Sequence, residues 1–185
     1  TSLTVSGGEL STTSGGGSGT GSTQTGWAGG SDAASAKGLK AGTALTITGG
    51  VVTIDASDDA LHSNGSLLIT GGELLLASGD DGMHADAAVQ IDAGSVTITQ
   101  SYEGIESVLI TLNGGEVSVT ASDDGVNGSG GADGSSLGGR PGQNTFAESG
   151  GASLVINDGY LYVDSGGDGI DINGSVAMAG GVVIV

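Results

Sequence analysis

The sequence lacks residues on which several classes of protein depend. It has 185 residues with no cysteine, one proline, one tryptophan, one phenylalanine and three tyrosines. Without cysteine there is neither a disulfide framework nor a thiolate metal site. The longest apolar runs, such as VVIV at 182–185, are far too short for a membrane-spanning helix. The chain opens on Thr1 without a basic and then apolar segment, so we expect any targeting signal to have been removed or to lie outside this sequence.

Basic residues are also scarce. The chain has three Lys and Arg residues and 21 Asp and Glu residues, which gives a formal net charge of -18. This charge repels phosphate backbones and anionic membrane surfaces, so nucleic acid and membrane are not expected partners. Cations, or anionic partners that are presented through cations, fit the charge better.

Glycine, by contrast, is abundant and periodic. The chain has 40 glycines, many of them in pairs whose second positions step by 22, 22, 21, 44 and 22 residues. Such a fixed period predicts stacked structural repeats. The pairs and their equivalents are Gly49-Gly50, Gly71-Gly72, Ala93-Gly94, Gly114-Gly115, Asp158-Gly159 and Gly180-Gly181.

Apolar and polar residues alternate on both sides of each pair, which is the periodicity of strands. Five apolar positions recur in each repeat, in two strands and a short third one, and they predict a triangular parallel β-helix of six to seven repeats. We expect one all-β solenoid domain over residues 1–185, with Gly/Ser-rich loop insertions at about 11–35 and 129–151. Its open last repeat predicts either truncation at Val185 or end-to-end self-association.

Acidic residues recur at the corner after the second strand of each repeat. We call Asp59, Asp81, Glu103, Asp124 and Asp168 the acid row; Lys37 has the same position in the first repeat. Stacked carboxylates about 4.8 Å apart repel each other by roughly 1 kcal/mol in water and more when desolvated, so the row requires neutralisation. Hard oxygen ligands at this spacing favour Ca²⁺. The metal candidates are Asp58, Asp59, Asp80, Asp81, Glu103, Asp123, Asp124 and Asp168.

The alternative to a metal is that these Asp-Gly pairs serve only as tight turns, for which both residues are favoured. Three residues after the acid row, a second column contains His62 and His84. Repulsion between their charged forms predicts neutral imidazoles that form hydrogen bonds and do not bind metal. The columns predict an open, shallow face along the row.

The segments AKGLKAG, SDDALHSNG, SLLITGGELLLASGDDGMHAD, SYEGIES and GGDGIDING resemble a known family. It is the secreted bacterial carbohydrate-binding domain family, which forms a right-handed parallel β-helix similar to pectate lyases. The resemblance implies an extracellular or cell-surface protein that holds Ca²⁺ along the acidic edge and binds plant-wall polysaccharide, polygalacturonate in particular and cellulose as a further ligand. The chain departs from the pattern at Ala60, Ala93 and Asp158, where glycine is usual.

Three functions follow as hypotheses. The first is a carbohydrate-binding module with Tyr102, Glu103, Glu106, Lys37 and Lys40 as ligand-binding candidates. The second is a calcium-dependent lyase that uses Lys37 or Lys40 as its base; a structural role, in which a lysine neutralises one end of the acid row, is favoured. The third is a subunit of an extracellular filament or adhesin. Further candidates for ligand contact are Tyr160, Tyr162, Trp27, Arg140 and Phe146.

Overall fold

The computed structural model describes residues 1–20, 36–128 and 151–185. These residues form 18 strands and one short 3-10 turn at Ser18–Thr20, and no α-helix occurs among them. The all-β prediction is confirmed. The described part of the chain has no helix with the length and apolarity that a membrane crossing requires. Trp27, Arg140 and Phe146 lie outside the described residues.

The strands form two sheets in which every pairing is parallel, and the chain passes repeatedly from one sheet to the other. The first sheet has 11 strands: β1 Ser2–Val5, β3 Leu39–Ala41, β4 Ala44–Ile47, β6 Leu61–Ser63, β7 Ser66–Ile69, β9 Met83–Ile91, β11 Ile105–Leu112, β13 Val126–Gly128, β14 Ala152–Ile156, β16 Ile170–Ile172 and β17 Gly174–Met178. The second has seven: β2 Glu9–Ser14, β5 Val51–Ala56, β8 Glu73–Ser78, β10 Ser95–Gln100, β12 Glu116–Ala121, β15 Tyr160–Ser165 and β18 Val182–Ile184.

Equivalent strands of successive repeats pair in the register that the apolar columns predict. Leu45 pairs with Leu67, and Leu67 with Val89, in the first sheet. Val52 pairs with Leu74, and Leu74 with Val96, in the second. All of these side chains are at most 1 % exposed and belong to one aliphatic core. The core forms because alternate residues of each strand point to the same side of the sheet.

The glycine pairs form the corner between the two sheets. The second glycine of each pair has a φ between 83° and 104°, a conformation that residues with a side chain rarely adopt. A Cβ on Gly72 would also lie 3.0 Å from the carbonyl oxygen of Gly50 in the preceding repeat. The second position of the corner therefore excludes side chains both by dihedral angle and by contact with the preceding repeat. The glycines concerned are Gly8, Gly50, Gly72, Gly94, Gly115, Gly159 and Gly181.

The first insertion starts later than the sequence predicts. Strand β2 continues to Ser14, which pairs with Ala56 of β5, so residues 11–14 belong to the sheet and not to a loop. Thr12 and Ser14 continue the alternation of half-buried residues that Leu10 begins, and β5 offers a complete partner strand. The serines and threonines suggest a loop, although threonine is favoured in strands.

The second predicted insertion falls between β13, which ends at Gly128, and β14, which begins at Ala152. The strands on its two sides still belong to neighbouring repeats. Strand β12 pairs with β15 in a register that matches Glu116 with Tyr160, and β11 pairs with both β13 and β14. The pairing therefore continues across the inserted segment.

Candidate functional site

Backbone pairing between repeats builds the acid row. At each corner the N–H group that follows a row residue donates to the carbonyl oxygen of the row residue in the next repeat. This connects Gly38 to Asp59 at 2.9 Å, Ala60 to Asp81 at 3.0 Å, Gly82 to Glu103 at 2.9 Å, Gly104 to Asp124 at 3.0 Å and Gly125 to Asp168 at 2.9 Å. The residues that the repeat aligns are therefore neighbours in space, in the same order as in the sequence.

Glycine after a row residue allows the corner to pack closely. A Cβ on Gly82 would lie 2.6 Å from Cδ1 of Ile98 and 2.7 Å from the carbonyl oxygen of Gly104. Strand β9 then starts at Met83, which enters the core, and turns His84 to the opposite face. The second column on this face is in register from repeat to repeat: Lys40, His62, His84, Glu106, Asn127 and Asp171.

The middle of the row is buried, contrary to the predicted open face. Five acids are at most 4 % exposed: Asp59, Asp80, Asp81, Glu103 and Glu106. Asp58, Asp123 and Asp124 are half-buried, whereas Asp168 is exposed. Strand periodicity gives the side of the sheet on which a residue lies, but it does not say whether that side is covered. The expectation was wrong for this reason.

Lys37 neutralises the first acids of the row. Its Nζ lies 2.6 Å from Oδ2 of Asp59 and 3.0 Å from Oδ1 of Asp58, and its side chain is 1 % exposed. Burial raises the pKa of Asp59, but hydrogen bonding to His62 and the positive charge of Lys37 outweigh it and hold the pKa below its ordinary value. Asp59 is thus ionised. Lys40, three residues further on, is exposed.

The two histidines stack in adjacent repeats, with ring centroids 5.1 Å apart and planes 9° from parallel. Nδ1 of His62 lies 2.7 Å from Oδ2 of Asp59. Nδ1 of His84 lies 3.1 Å from Oδ2 of Asp81 and 2.9 Å from Oε2 of Glu106, and its Nε2 lies 3.2 Å from Oδ1 of Asp86.

These contacts overturn the prediction that His84 is neutral. Burial lowers the pKa of His84, but hydrogen bonds to Asp81, Asp86 and Glu106 outweigh burial, so the pKa is raised well above its ordinary value. His84 is therefore an imidazolium that both ring nitrogens connect to carboxylates. Repulsion between the two histidines favours neutral rings, but the acids around His84 outweigh it.

Asp81, Glu103 and Glu106 form what we call the three-carboxylate cluster. One oxygen from each lies within 4.8 Å of the other two, and all three residues are buried. Burial and the charge of Glu106 raise the pKa of Glu103 to about 8, although a hydrogen bond from Asn127 lowers it in part. Burial and Glu106 also raise the pKa of Asp81. His84 supplies one positive charge to Asp81 and Glu106, and the negative charge that remains on the three carboxylates requires protons or a further cation.

Asn127 lies beside this cluster and is 7 % exposed. Its Nδ2 donates to Oε2 of Glu103 at 2.9 Å, and its Oδ1 is buried without a hydrogen-bond partner among the described residues. An amide oxygen in that condition is costly unless something binds it. Oxygen of this kind is a ligand for hard cations such as Ca²⁺.

Two further groups of potential ligands overlap this region among the described residues. One consists of Asp58, Asp59 and Asp80, and the other of Asp59, Asp81 and His84. The structure therefore brings five of the eight predicted metal ligands into close groups. Those groups do not include the remaining three, which are Asp123, Asp124 and Asp168.

These last three acids lie in the more accessible part of the row. Oδ1 of Asp124 accepts a hydrogen bond from the backbone N–H of Asp168 at 2.7 Å, and burial raises the pKa of Asp124. Tyr102 is half-buried, and its hydrogen bond to the Asp123 carboxylate raises the pKa of Tyr102 to about 12. Tyr160 and Tyr162 belong to β15 in the second sheet, and Tyr162 is 38 % exposed.

Sequence reasoning missed two residues of this site. Asp86 binds His84, and it could have been found because residues two apart in a strand share a face. The repeat also places Asn127 in the second column, three residues after Asp124. The signal in its case was position, since it follows Glu106 in register in the next repeat.

Residues 1–82 match the family model described as Carbohydrate-binding domain-containing protein. The matched segment includes Lys37 and the first four acids of the corner, Asp58, Asp59, Asp80 and Asp81. No curated protein and no solved structure matches the chain. This match supports a relation between residues 1–82 and a carbohydrate-binding domain family.

Proposed function

We propose that the protein is an extracellular, calcium-binding carbohydrate-binding module for acidic plant-wall polysaccharide of the polygalacturonate type. In this proposal the two parallel sheets are faces of one right-handed β-helix with six to seven repeats. The family match of residues 1–82 supports carbohydrate binding in general. The observation that carries the calcium-dependent form of the proposal is the three-carboxylate cluster beside the unpartnered oxygen of Asn127.

The chemistry of the cluster suits calcium better than other common ions. Asp81, Glu103 and Glu106 supply carboxylate oxygens, and Asn127 supplies an amide oxygen. Ca²⁺ accepts six to eight oxygen ligands in flexible geometry, whereas Mg²⁺ prefers strict octahedral geometry and keeps several waters. Zn²⁺ prefers histidine and cysteine. A calcium ion there would remove the repulsion that raises the pKa of Glu103.

Calcium at this cluster would act on stability, because the acids that hold it are buried. A polymer needs accessible groups, and the end of the row offers them at Asp124 and Asp168 and at Asp123 beside them. Cations held by these carboxylates would bridge to the carboxylates of uronic acid residues, so that an acidic protein can bind an acidic polymer. Tyr102, hydrogen-bonded to Asp123, would contact the sugar beside them.

A lyase is the alternative, and its base must reach a proton of the substrate. Lys37 does not suit that role, since its side chain is 1 % exposed and lies against two carboxylates. Lys40 is exposed and stays the candidate base. The structure supports the structural role for Lys37 that the sequence favours.

The test measures binding to polygalacturonate and to cellulose, with calcium and with a chelator, and records the absorbance of unsaturated products in the same samples. We expect calcium-dependent binding to polygalacturonate without product. Product formation would favour the lyase. Absence of binding to either polymer in both conditions would refute the module and direct attention to self-association.

Two variants locate the polymer site. Asp124→Asn combined with Asp168→Asn should weaken calcium-dependent binding at least about tenfold, the equivalent of roughly 1.4 kcal/mol. Asp164→Asn is the matched control, because Asp164 is an exposed acid within strand β15 and not at the corner that carries the acid row. Equal affinity of the double variant and the control would contradict the placement.

A further inference from the structure

Among the described repeats, only the first has a positively charged residue at the row position, and that residue is Lys37. Its neighbour Gly38 donates to Asp59, just as Ala60 donates to Asp81 one repeat later, so Lys37 is the positional equivalent of the acids. From this position its side chain reaches forward to the acids of the next repeat. The chain therefore places a covalently attached cation at the first step of the row.

The ammonium of Lys37 lies among carboxylates that are spaced for a metal ion. Oxygens of Asp58, Asp59 and Asp80 lie within 4.8 Å of one another. Nζ of Lys37 is 3.0 Å from the first of these residues and 2.6 Å from the second. Ca²⁺ binds oxygen at 2.3–2.6 Å, so an ion that used the same two carboxylates would overlap the ammonium.

We propose that Lys37 is a built-in counterion that replaces a metal ion at the Asp58–Asp59–Asp80 group. It excludes divalent cations from the first step of the row, and metal binding starts one repeat later. Only this last clause rests on the proposed function. The physical basis is effective concentration: an attached ammonium is present at its site whatever the calcium level outside.

The proposal predicts that removing the charge of Lys37 changes the number of Ca²⁺ ions bound per chain. Lys37→Met keeps an unbranched apolar stem of similar length but removes the charge, and it leaves Asp58 and Asp59 without that ammonium. We expect this variant to bind one more Ca²⁺ per chain than the unaltered protein, measured by equilibrium dialysis with metal analysis of the dialysed protein.

Two further variants control the experiment. Lys40→Met removes the same charge three residues away, from an exposed side chain, and should leave the stoichiometry unchanged. Lys37→Met combined with Asp59→Asn removes both charges of the buried pair, so it should fold without gaining an ion.

The outcomes separate this inference from the proposed function. A folded Lys37→Met variant with the stoichiometry of the unaltered protein would overturn the counterion role. If the variant folds only in added calcium, the role is supported, whereas failure to fold at any calcium concentration, while the double variant folds, would overturn it. If the unaltered protein binds no calcium, the calcium part of the proposed function fails, and a gain of one ion in Lys37→Met would still support the role of Lys37.

Discussion

Replacing Glu103 by glutamine tests whether electrostatic repulsion within the three-carboxylate cluster lowers the free energy of unfolding. Glu103 is 4 % exposed, and burial together with the charge of Glu106 raises its pKa to about 8 from an ordinary 4.5. Glutamine has nearly the same shape and still offers Asn127 an oxygen to which its Nδ2 can donate. The variant therefore removes a charge and keeps the contact.

The sign and size of the effect follow from the pKa of Glu103. Between pH 4.5 and pH 8 the folded protein holds a proton that the unfolded chain releases, so the free energy of unfolding falls as the pH rises through this range. At about 1.4 kcal/mol per pH unit, the cost is on the order of 3 kcal/mol at pH 7 and less than about 1 kcal/mol at pH 5. Without calcium, Glu103→Gln should recover this cost.

The assay is chemical denaturation in the presence of a chelator at pH 5, 7 and 8. We expect the variant to exceed the unaltered protein in stability by an amount that grows with pH and is constant above about pH 8. Added calcium should reverse the order, because the variant lacks one carboxylate ligand. Glu73→Gln, an exposed acid at the start of β8, is the control. A gain that does not vary with pH would refute the reasoning.

Two other predictions concern the histidine stack and the glycine corner. His84→Gln should lower the free energy of unfolding by about 3–5 kcal/mol in chelator, because it leaves buried carboxylates without their cation, whereas His62→Gln should cost less since Nδ1 of His62 contacts one carboxylate. Equal losses in denaturant titrations would contradict this account. Gly72→Ala should cost about 1–3 kcal/mol through its φ of 104° and its contact with the preceding repeat, while Gly7→Ala, with nothing within 4 Å of the added Cβ, should have a midpoint close to that of the unaltered protein.

The sequence predicts the strands and their pairing because both depend on one local signal repeated many times. Each glycine pair fixes the phase of the alternation around it, so the pairing of Leu45 with Leu67, or Val52 with Leu74, follows from counting. The same counting aligns the acid row. It failed at residues 11–14, where serine and threonine suggested a loop although a partner strand was present.

The chemical state of the site was not predictable in the same way. Whether Asp81 and Glu103 are exposed depends on what covers that side of the sheet, and strand periodicity does not contain this information. The charge of His84 depends on carboxylates from its own repeat and from the next one. The contact with Glu106 spans 22 residues of sequence, so it becomes visible only when the repeats are stacked.

The continuity of pairing across residues 129–150 has a consequence for engineering. Strands β11 and β12 pair with β14 and β15 although 22 residues separate Gly128 from the described chain at Gly151, so the order of the sheets is kept across added chain. Lengthening a flexible connection costs little, about 0.6 kcal/mol for each doubling. Foreign peptides, or a second binding domain, could thus be introduced between Gly128 and Ala152 while the strand pairing is retained.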